Sequence, residues 1–339
     1  MEKIEILTTV PFADESVKEI QLLSERINLT ISPARQPEDI PLEIWAKTEI
    51  LFTWGAIPDP ETVPQLRWVQ SYLAGADRLL SHPLAEKEDL LITTNSGANA
   101  TQVAEHTIMM MLSLGRNLPD AFARQNQSEW LSNQEERQRM KELRGSVVGI
   151  IGYGAIGGHL ARLLQPFGVE ILATKANAKN PHYEGYLPEG QGDPEGDYFT
   201  RLYPPEAIKS VLQESDFVIV TVPLTKKTKD MIGEKEFNSF KAGSFLVDVS
   251  RGGVVNHDAL IGALVQNKLA GAALDVFPEE PLPADNPMWQ MPNVIISPHM
   301  AGVSPNYIRR AVQLFKENIL RYMNAEQLLN QVNKKAEKS

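Results

Sequence analysis

Short runs of Ile, Val and Leu alternate along the chain with amphipathic stretches, the pattern of parallel βαβ units. In the first hundred residues, strands are expected at Ile4–Thr8, 29–31, 49–52, 66–70 and Leu91–Thr93. Residues 14–26 predict a helix with Val17, Ile20 and Leu23 on one face. A longer helix is predicted over 100–114, where Val103, Ile108, Met111 and Leu112 are apolar. Its methionine run at 109–111 reads as core or subunit interface, not as a metal or redox site. The polar stretch 128–141 reads as a solvated helix. A second strand series then runs through Val147–Ile151, 169–173, 217–222, 245–249, 270–276 and 294–297. Between its second and third members lies 177–205, rich in Pro and Gly and read as an irregular surface insertion. The Lys-rich tail after Leu329 is expected to fray.

Two strand series in 339 residues fit two domains, each large enough for its own core. The formal net charge of −10 excludes most surfaces that would hold nucleic acid or anionic lipid. With no cysteine there is no disulfide, thiolate-held cluster or cysteine nucleophile, and no metal-ligand set stands out. The chain begins MEKIEILTTV, which lacks the apolar core of a signal peptide, and no 18-residue apolar stretch occurs, so a cytoplasmic protein is expected.

The sharpest local signal is Gly152-Tyr153-Gly154-Ala155-Ile156-Gly157. It follows a clear strand and opens a helix expected over 158–167, the context that turns a weak motif into a dinucleotide fingerprint. The first glycine makes a tight turn, the second admits a pyrophosphate, and the third lets helix and strand pack. Eighteen residues past Gly157, where an acidic side chain would accept a ribose 2′-OH, stands Lys175. That substitution favours NADP over NAD. A solvated lysine, or Glu184 reaching in from the insertion, would leave NAD acceptable.

Hydride transfer to a carbonyl needs a proton donor, for which histidine is the usual choice. Of six histidines, His299 alone follows a strand of the second series, where ligands of open α/β sheets bind. His82 and His182 lie in a turn and in the insertion. His106 and His159 lie within helices, and His257 reads as a helix start. Arg251, in the turn after 245–249, suits an anionic substrate. A carboxylate to orient the histidine is expected after the strand ending near Val276, in Asp275-Val276-Phe277-Pro278-Glu279-Glu280-Pro281.

The segments GYGAIG, VSRGGVVNHDAL, LDVFPEEPLPADNPMWQMPNVIISPHMAG and NSGANATQVAEHT together resemble the D-isomer-specific 2-hydroxy acid dehydrogenase family, in order from about residue 65 to 325. The resemblance implies an α/β protein of two Rossmann-like or flavodoxin-like domains with parallel sheets and a cleft between them. The substrate domain would be discontinuous (1–98 plus 302–339), and 99–301 would form the dinucleotide-binding domain. Arg251, Glu280 and His299 would be the catalytic trio. Glu280 is chosen over Glu279 because the family's glutamate directly precedes the proline, and glutamate there argues against formate. The cofactor set implied is Gly152, Gly154, Ala155, Ile156, Gly157, Lys175, Val222, Pro223, Thr228, Val249, Ser250, Arg251, Asp275, His299 and Gly302, binding NADP or NAD. Ala74, Gly75 and Ala76 would hold the substrate carboxylate through backbone N–H groups, with Arg251 and His299. The partners implied are a small 2-oxo or 2-hydroxy acid and a second copy of the chain, joined through the helix at 100–114. Reduction of glyoxylate or hydroxypyruvate is the expected type of activity. A nucleotide-sensing corepressor, or a dehydrogenase of another small anion such as phosphite, are the competing readings.

Overall fold

The computed structural model describes residues 3–130, 140–332 and 334. Among these described residues, twelve strands form two separate, fully parallel sheets within two compact units. One unit comprises Met1–Asn99, Gly185–Pro188 and Ser304–Ser339; the other comprises Ala100–Glu184 and Glu189–Val303.

In the first unit the strands are β1 (Ile4–Thr8), β2 (Ile27–Ile31), β3 (Ile50–Thr53), β4 (Trp68–Ser71) and β5 (Leu91–Thr93), in spatial order β2-β1-β3-β4-β5. Helices α1 (Asp14–Gln21), α2 (Leu42–Lys47) and α3 (Asp77–Leu80) connect them. Both sheet faces are buried, so successive residues feed opposite cores. Ile6, Ile50, Phe52 and Trp68 face one cluster, and Leu7, Leu51 and Val69 face the other. The first cluster is completed from far along the chain by the C-terminal helix Tyr307–Met323, whose Ala311, Val312, Phe315 and Ile319 form its apolar stripe. Asn318 is fully buried on that helix, and its cost is offset by bonds from Nδ2 to Gln70 Oε1 (3.1 Å) and from Leu329 N to Oδ1 (2.8 Å). The segment beyond Leu329 is held as well: Gln331 bridges Thr93 antiparallel and Val332 N donates to Ile92 O at 2.8 Å. The expected fraying therefore fails up to Val332, because the edge of β5 offers the tail a backbone partner.

In the second unit, β6 (Val147–Ile151), β7 (Glu170–Thr174), β8 (Arg201–Tyr203), β9 (Phe217–Val220), β10 (Ser244–Asp248), β11 (Leu269–Leu274) and β12 (Val294–Ile296) take the order β12-β11-β10-β9-β6-β7-β8. Numbered from β6, that is the doubly wound order 3-2-1-4-5-6 with a seventh strand added, and the chain reverses direction of winding between β6 and β9. Its helices are α4 (Ala100–Gly115), α5 (Leu118–Gln127), α6 (Ala155–Leu164), α7 (Ile208–Glu214), α8 (Glu234–Phe237) and α9 (His257–Val265), with the C-terminal helix of the first unit numbered α10. On α4, Val103, Ala104, Met110 and Met111 are core, while Met109 and Leu112 stay exposed.

Three further sequence expectations need correction. The helix expected over 14–26 stops at Gln21, and Leu22 beyond it is exposed. The helix expected from 158 starts at Ala155, because Gly157 and Gly158 are tolerated inside it for close packing. Residues 177–205 are not wholly irregular: Arg201–Tyr203 adds β8 to the sheet edge, pairing with β7. The expected helix over 128–141 falls mostly outside the described residues.

Candidate active site

The glycine-rich loop shows why each glycine is there. Gly152 has φ +109°, and a Cβ on it would lie 2.8 Å from Val222 Cγ1. A Cβ on Gly157 would lie 2.5 Å from the Gly152 carbonyl oxygen, whereas one on Gly154 would meet nothing within 4 Å. The space over Gly154 is open, and the first i→i−4 bond of α6 is Gly158 N to Gly154 O (2.8 Å). The N–H groups of Ala155, Ile156 and Gly157 thus remain at a positive helix end, a setting that fits a pyrophosphate.

The insertion after β7 is docked onto this loop. Asp193 is buried and accepts bonds from Tyr153 Oη (2.5 Å) and from the N–H groups of Gly196, Asp197 and Tyr198. Burial, and then the Asp193 carboxylate, push the Tyr153 hydroxyl up from its ordinary pKa. Gly192 N donates to His159 Nδ1 at 2.9 Å, and Thr101 Oγ1 donates to Gln191. Lys175 at the end of β7 also serves the insertion: its Nζ donates to Pro181 O (2.7 Å) and His182 O (2.6 Å). Burial lowers its pKa, opposed by Glu184 and Asp193. Two of its three donors are therefore committed, and Glu184 lies close enough to act on it electrostatically.

The remaining sequence candidates gather on the loops at the carboxyl ends of β9, β10, β11 and β12. Val222 and Pro223 follow β9, and Thr228 closes that loop through a bond from Oγ1 to Pro223 O (2.6 Å). Val249, Ser250 and Arg251 follow β10, with Ser250 N and Oγ both donating to Asp248 Oδ1 and Arg251 Nη1 donating to Ser250 O. The next residue, Gly252, lies under the loop that follows β11: a Cβ there would be 1.9 Å from Phe277 O. The Arg251 turn and the loop bearing Glu280 are thereby pressed together at backbone distance. Glu280 Oε1 accepts from Phe277 N (2.9 Å), and its Oε2 pairs with His299 Nδ1 at 2.7 Å.

His299 sits on the loop after β12 in left-handed backbone conformation, φ +50°. Asp275 secures that conformation. Its carbonyl accepts His299 N, Oδ1 accepts Met300 N, and Oδ2 accepts Ala301 N, all at 2.9 Å. With Nδ1 on Glu280, the imidazole keeps Nε2 for proton exchange. Gly302 O accepts from Gln102 Nε2 on α4. Chemically, this is a positioned acid–base group braced by a carboxylate, with a guanidinium on the adjoining loop.

Ala74, Gly75 and Ala76 belong to the first unit, in the loop between β4 and α3. Asn95 fixes the residues before them: its N donates to Leu73 O and its Nδ2 to Tyr72 O, both at 3.0 Å. No bond reaches the N–H of Ala74, Gly75 or Ala76 among the described residues. Sequence reasoning missed Asp193, Gln102 and Asp248, whose parts in the site are set by tertiary packing. No local pattern marks them. Among the described residues no cluster of His, Asp and Glu suits a metal ion, and no helix is long and apolar enough to cross a membrane.

Residues 108–301, more than half of the chain, match the model of the D-isomer specific 2-hydroxyacid dehydrogenase NAD-binding domain. A glyoxylate reductase of Korarchaeum cryptofilum is 31% identical over 279 residues, 82% of this chain and 79% of that protein. One from Thermococcus litoralis is 29% identical over 98% of this chain and 97% of its own length. In fold, the chain is similar to a D-isomer specific 2-hydroxyacid dehydrogenase of Xanthobacter autotrophicus solved in complex with NADPH and MES, with TM-score 0.78, 24% identity, and coverage of 98% of this chain and 99% of that one. The chain belongs to the D-isomer-specific 2-hydroxyacid dehydrogenase family, NAD(P)-dependent oxidoreductases of 2-hydroxy acids.

Proposed function

We propose that this protein reduces small 2-oxo acids of the glyoxylate and hydroxypyruvate type to D-2-hydroxy acids, with NADPH preferred over NADH. The observation that carries the reading is the 2.7 Å pair between His299 Nδ1 and Glu280 Oε2, on loops that adjoin the Arg251 turn. Gly152, Gly154 and the free N–H groups of Ala155, Ile156 and Gly157 would hold the pyrophosphate, and bound there the dinucleotide supplies the hydride. Arg251 binds the substrate carboxylate bidentately and polarises the neighbouring carbonyl. The N–H groups of Ala74, Gly75 and Ala76 are further donors for that carboxylate. Protonated His299 gives a proton from Nε2 to the carbonyl oxygen as the hydride arrives, and takes it back in the oxidative direction. Glu280 holds the ring and stabilises its cation. Asp275, Val249, Ser250, Val222, Pro223, Thr228 and Gly302 shape the nicotinamide side.

Lys175 supports the NADPH preference, since no carboxylate stands at the end of β7 and a cation does. The NADPH in the Xanthobacter structure agrees with this cofactor, and the glyoxylate reductase names of the relatives support the substrate class. The exposed Met109 and Leu112 on α4, with Phe122 on α5, support a homodimer through this face. A monomer by light scattering at micromolar concentration would refute that part. The main test follows NADPH oxidation with a panel of 2-oxo acids. Turnover should be lost by roughly 100- to 10,000-fold in His299→Ala. A fully active variant, or no turnover of any 2-oxo acid by the unaltered protein, overturns the reading.

A further inference from the structure

His106 lies on α4, six positions into a helix whose sequence reads as plain core packing, yet its imidazole reaches the loops that carry the acid–base pair. Its Nε2 is 3.0 Å from Ser297 Oγ and 3.7 Å from Asp275 Oδ1. Ser297 Oγ in turn lies 2.5 Å from Asp275 Oδ1, the carboxylate that fixes the N–H groups of Met300 and Ala301, the two residues that follow the left-handed His299. A serine hydroxyl has one hydrogen. That hydrogen goes to Asp275 Oδ1, which also accepts from Met300 N, so Ser297 Oγ accepts from His106. A proton on His106 Nε2 follows, which in the neutral ring is the Nε2–H tautomer. Burial holds the imidazole below its ordinary pKa against the pull of Asp275, which keeps it neutral at pH 7. One turn earlier on the same helix face, Gln102 Nε2 donates to Gly302 O at 3.0 Å. Two side chains of α4 thus tie down both ends of the segment 297–302 that contains His299.

We propose that His106 is a positioning residue for hydride transfer, acting through Ser297 and Asp275 to hold His299 in its productive backbone conformation. The inference rests on the assignment of His299 as the proton donor. The alternative is a core histidine that merely has its polar atoms satisfied, and the two differ in what substitution does. A histidine that only fills space stabilises the fold and leaves kcat alone. One that holds the acid changes kcat, because displacement of a reacting group by about 1 Å costs up to 100-fold.

The experiment is a double-mutant cycle on the full chain, with His106→Phe, His106→Gln, Ser297→Ala and the double variant His106→Phe/Ser297→Ala. It reads kcat, KM, the NADPH dissociation constant by fluorescence, and Tm. His106→Phe removes the donor at similar volume and should lower kcat about 10- to 100-fold. His106→Gln keeps an N–H donor and should restore kcat to within about threefold. Because His106 acts through Ser297, the Phe variant should cost less than threefold further once Ser297 is alanine. Independently of turnover, 15N spectra of the imidazoles should show His106 as the Nε2–H tautomer at neutral pH, assigned by loss of its signal in His106→Gln. A fall in Tm with unchanged kcat, full additivity in the cycle, or an Nδ1–H tautomer overturns the proposal. If His106→Phe does not fold, Ser297→Ala and the tautomer decide the matter. Retained turnover in His299→Ala would instead overturn the assignment beneath it, which the cycle leaves separately visible.

Discussion

Asp248 ends β10 at the base of the Arg251 turn, fully buried, with Oδ1 bonded to Ser250 N and Oγ and with Oδ2 bonded to nothing among the described residues. Burial pushes its carboxyl up to about 7, with Asp275 adding to the shift and the Ser250 bonds opposing it. The sign follows directly. Between its ordinary 3.8 and about 7, the folded chain keeps a proton that the unfolded chain releases. Stability should therefore fall as pH rises through that window, by about 1.4 kcal/mol per pH unit and with a ceiling of about 4 kcal/mol at pH 8. Asp248→Asn removes the titration and retains an acceptor for Ser250. It places an amide N–H₂ where Oδ2 had no partner, at a cost of about 1–3 kcal/mol at every pH. The variant should be less stable than the parent near pH 5 and equal or more stable near pH 8. Thermal melts from pH 5 to 8 read this, at roughly 2–4 °C per kcal/mol for a unit of this size. A Tm difference that stays constant with pH would refute the reasoning and mean that Asp248 is ionised throughout.

Two further outcomes test the site. Gly252→Ala would force a Cβ to 1.9 Å from Phe277 O, so the Arg251 and Glu280 loops must separate; kcat should fall by about 100-fold, and near-normal turnover would refute the clamp. Lys175→Gln removes the cation while keeping a donor for Pro181 O and His182 O. The ratio of kcat/KM for NADPH over NADH should drop about tenfold, with Lys175→Arg restoring it, and an unchanged ratio would assign Lys175 to holding the insertion alone.

Most strands were legible because burial on both faces writes them as short apolar runs, as in Val147–Ile151, where sequence and structure agree to the residue. Their ends were less so. The run 245–249 is one residue displaced from Ser244–Asp248, since Val249 is buried but already past the ladder. β8 escaped notice because its three residues precede two prolines and have one aliphatic side chain. The amphipathic stripe of α10 is plain in sequence, but nothing local says that its partner is a sheet begun three hundred residues earlier. In the site, the glycines and the loops after the strands could be read because each demands a residue type at a fixed spacing. His106 and Asp193 could not, because their roles exist only once α4 and the insertion have docked.

The docking of that insertion restricts how such a chain can change over time. The Asp193 carboxylate, the Tyr153 hydroxyl, the His159 imidazole and the narrow seat over Gly158, where a Cβ would lie 3.1 Å from Asp193, are complementary parts of one joint. Losing the loop alone would strand a buried phenol and take the Gly192 N–H away from the His159 imidazole; losing Tyr153 alone would leave the carboxylate short of one donor. Related chains with a short connection after β7 should therefore lack tyrosine and histidine at these two positions together, so that the length of one loop is recorded in the side chains of another.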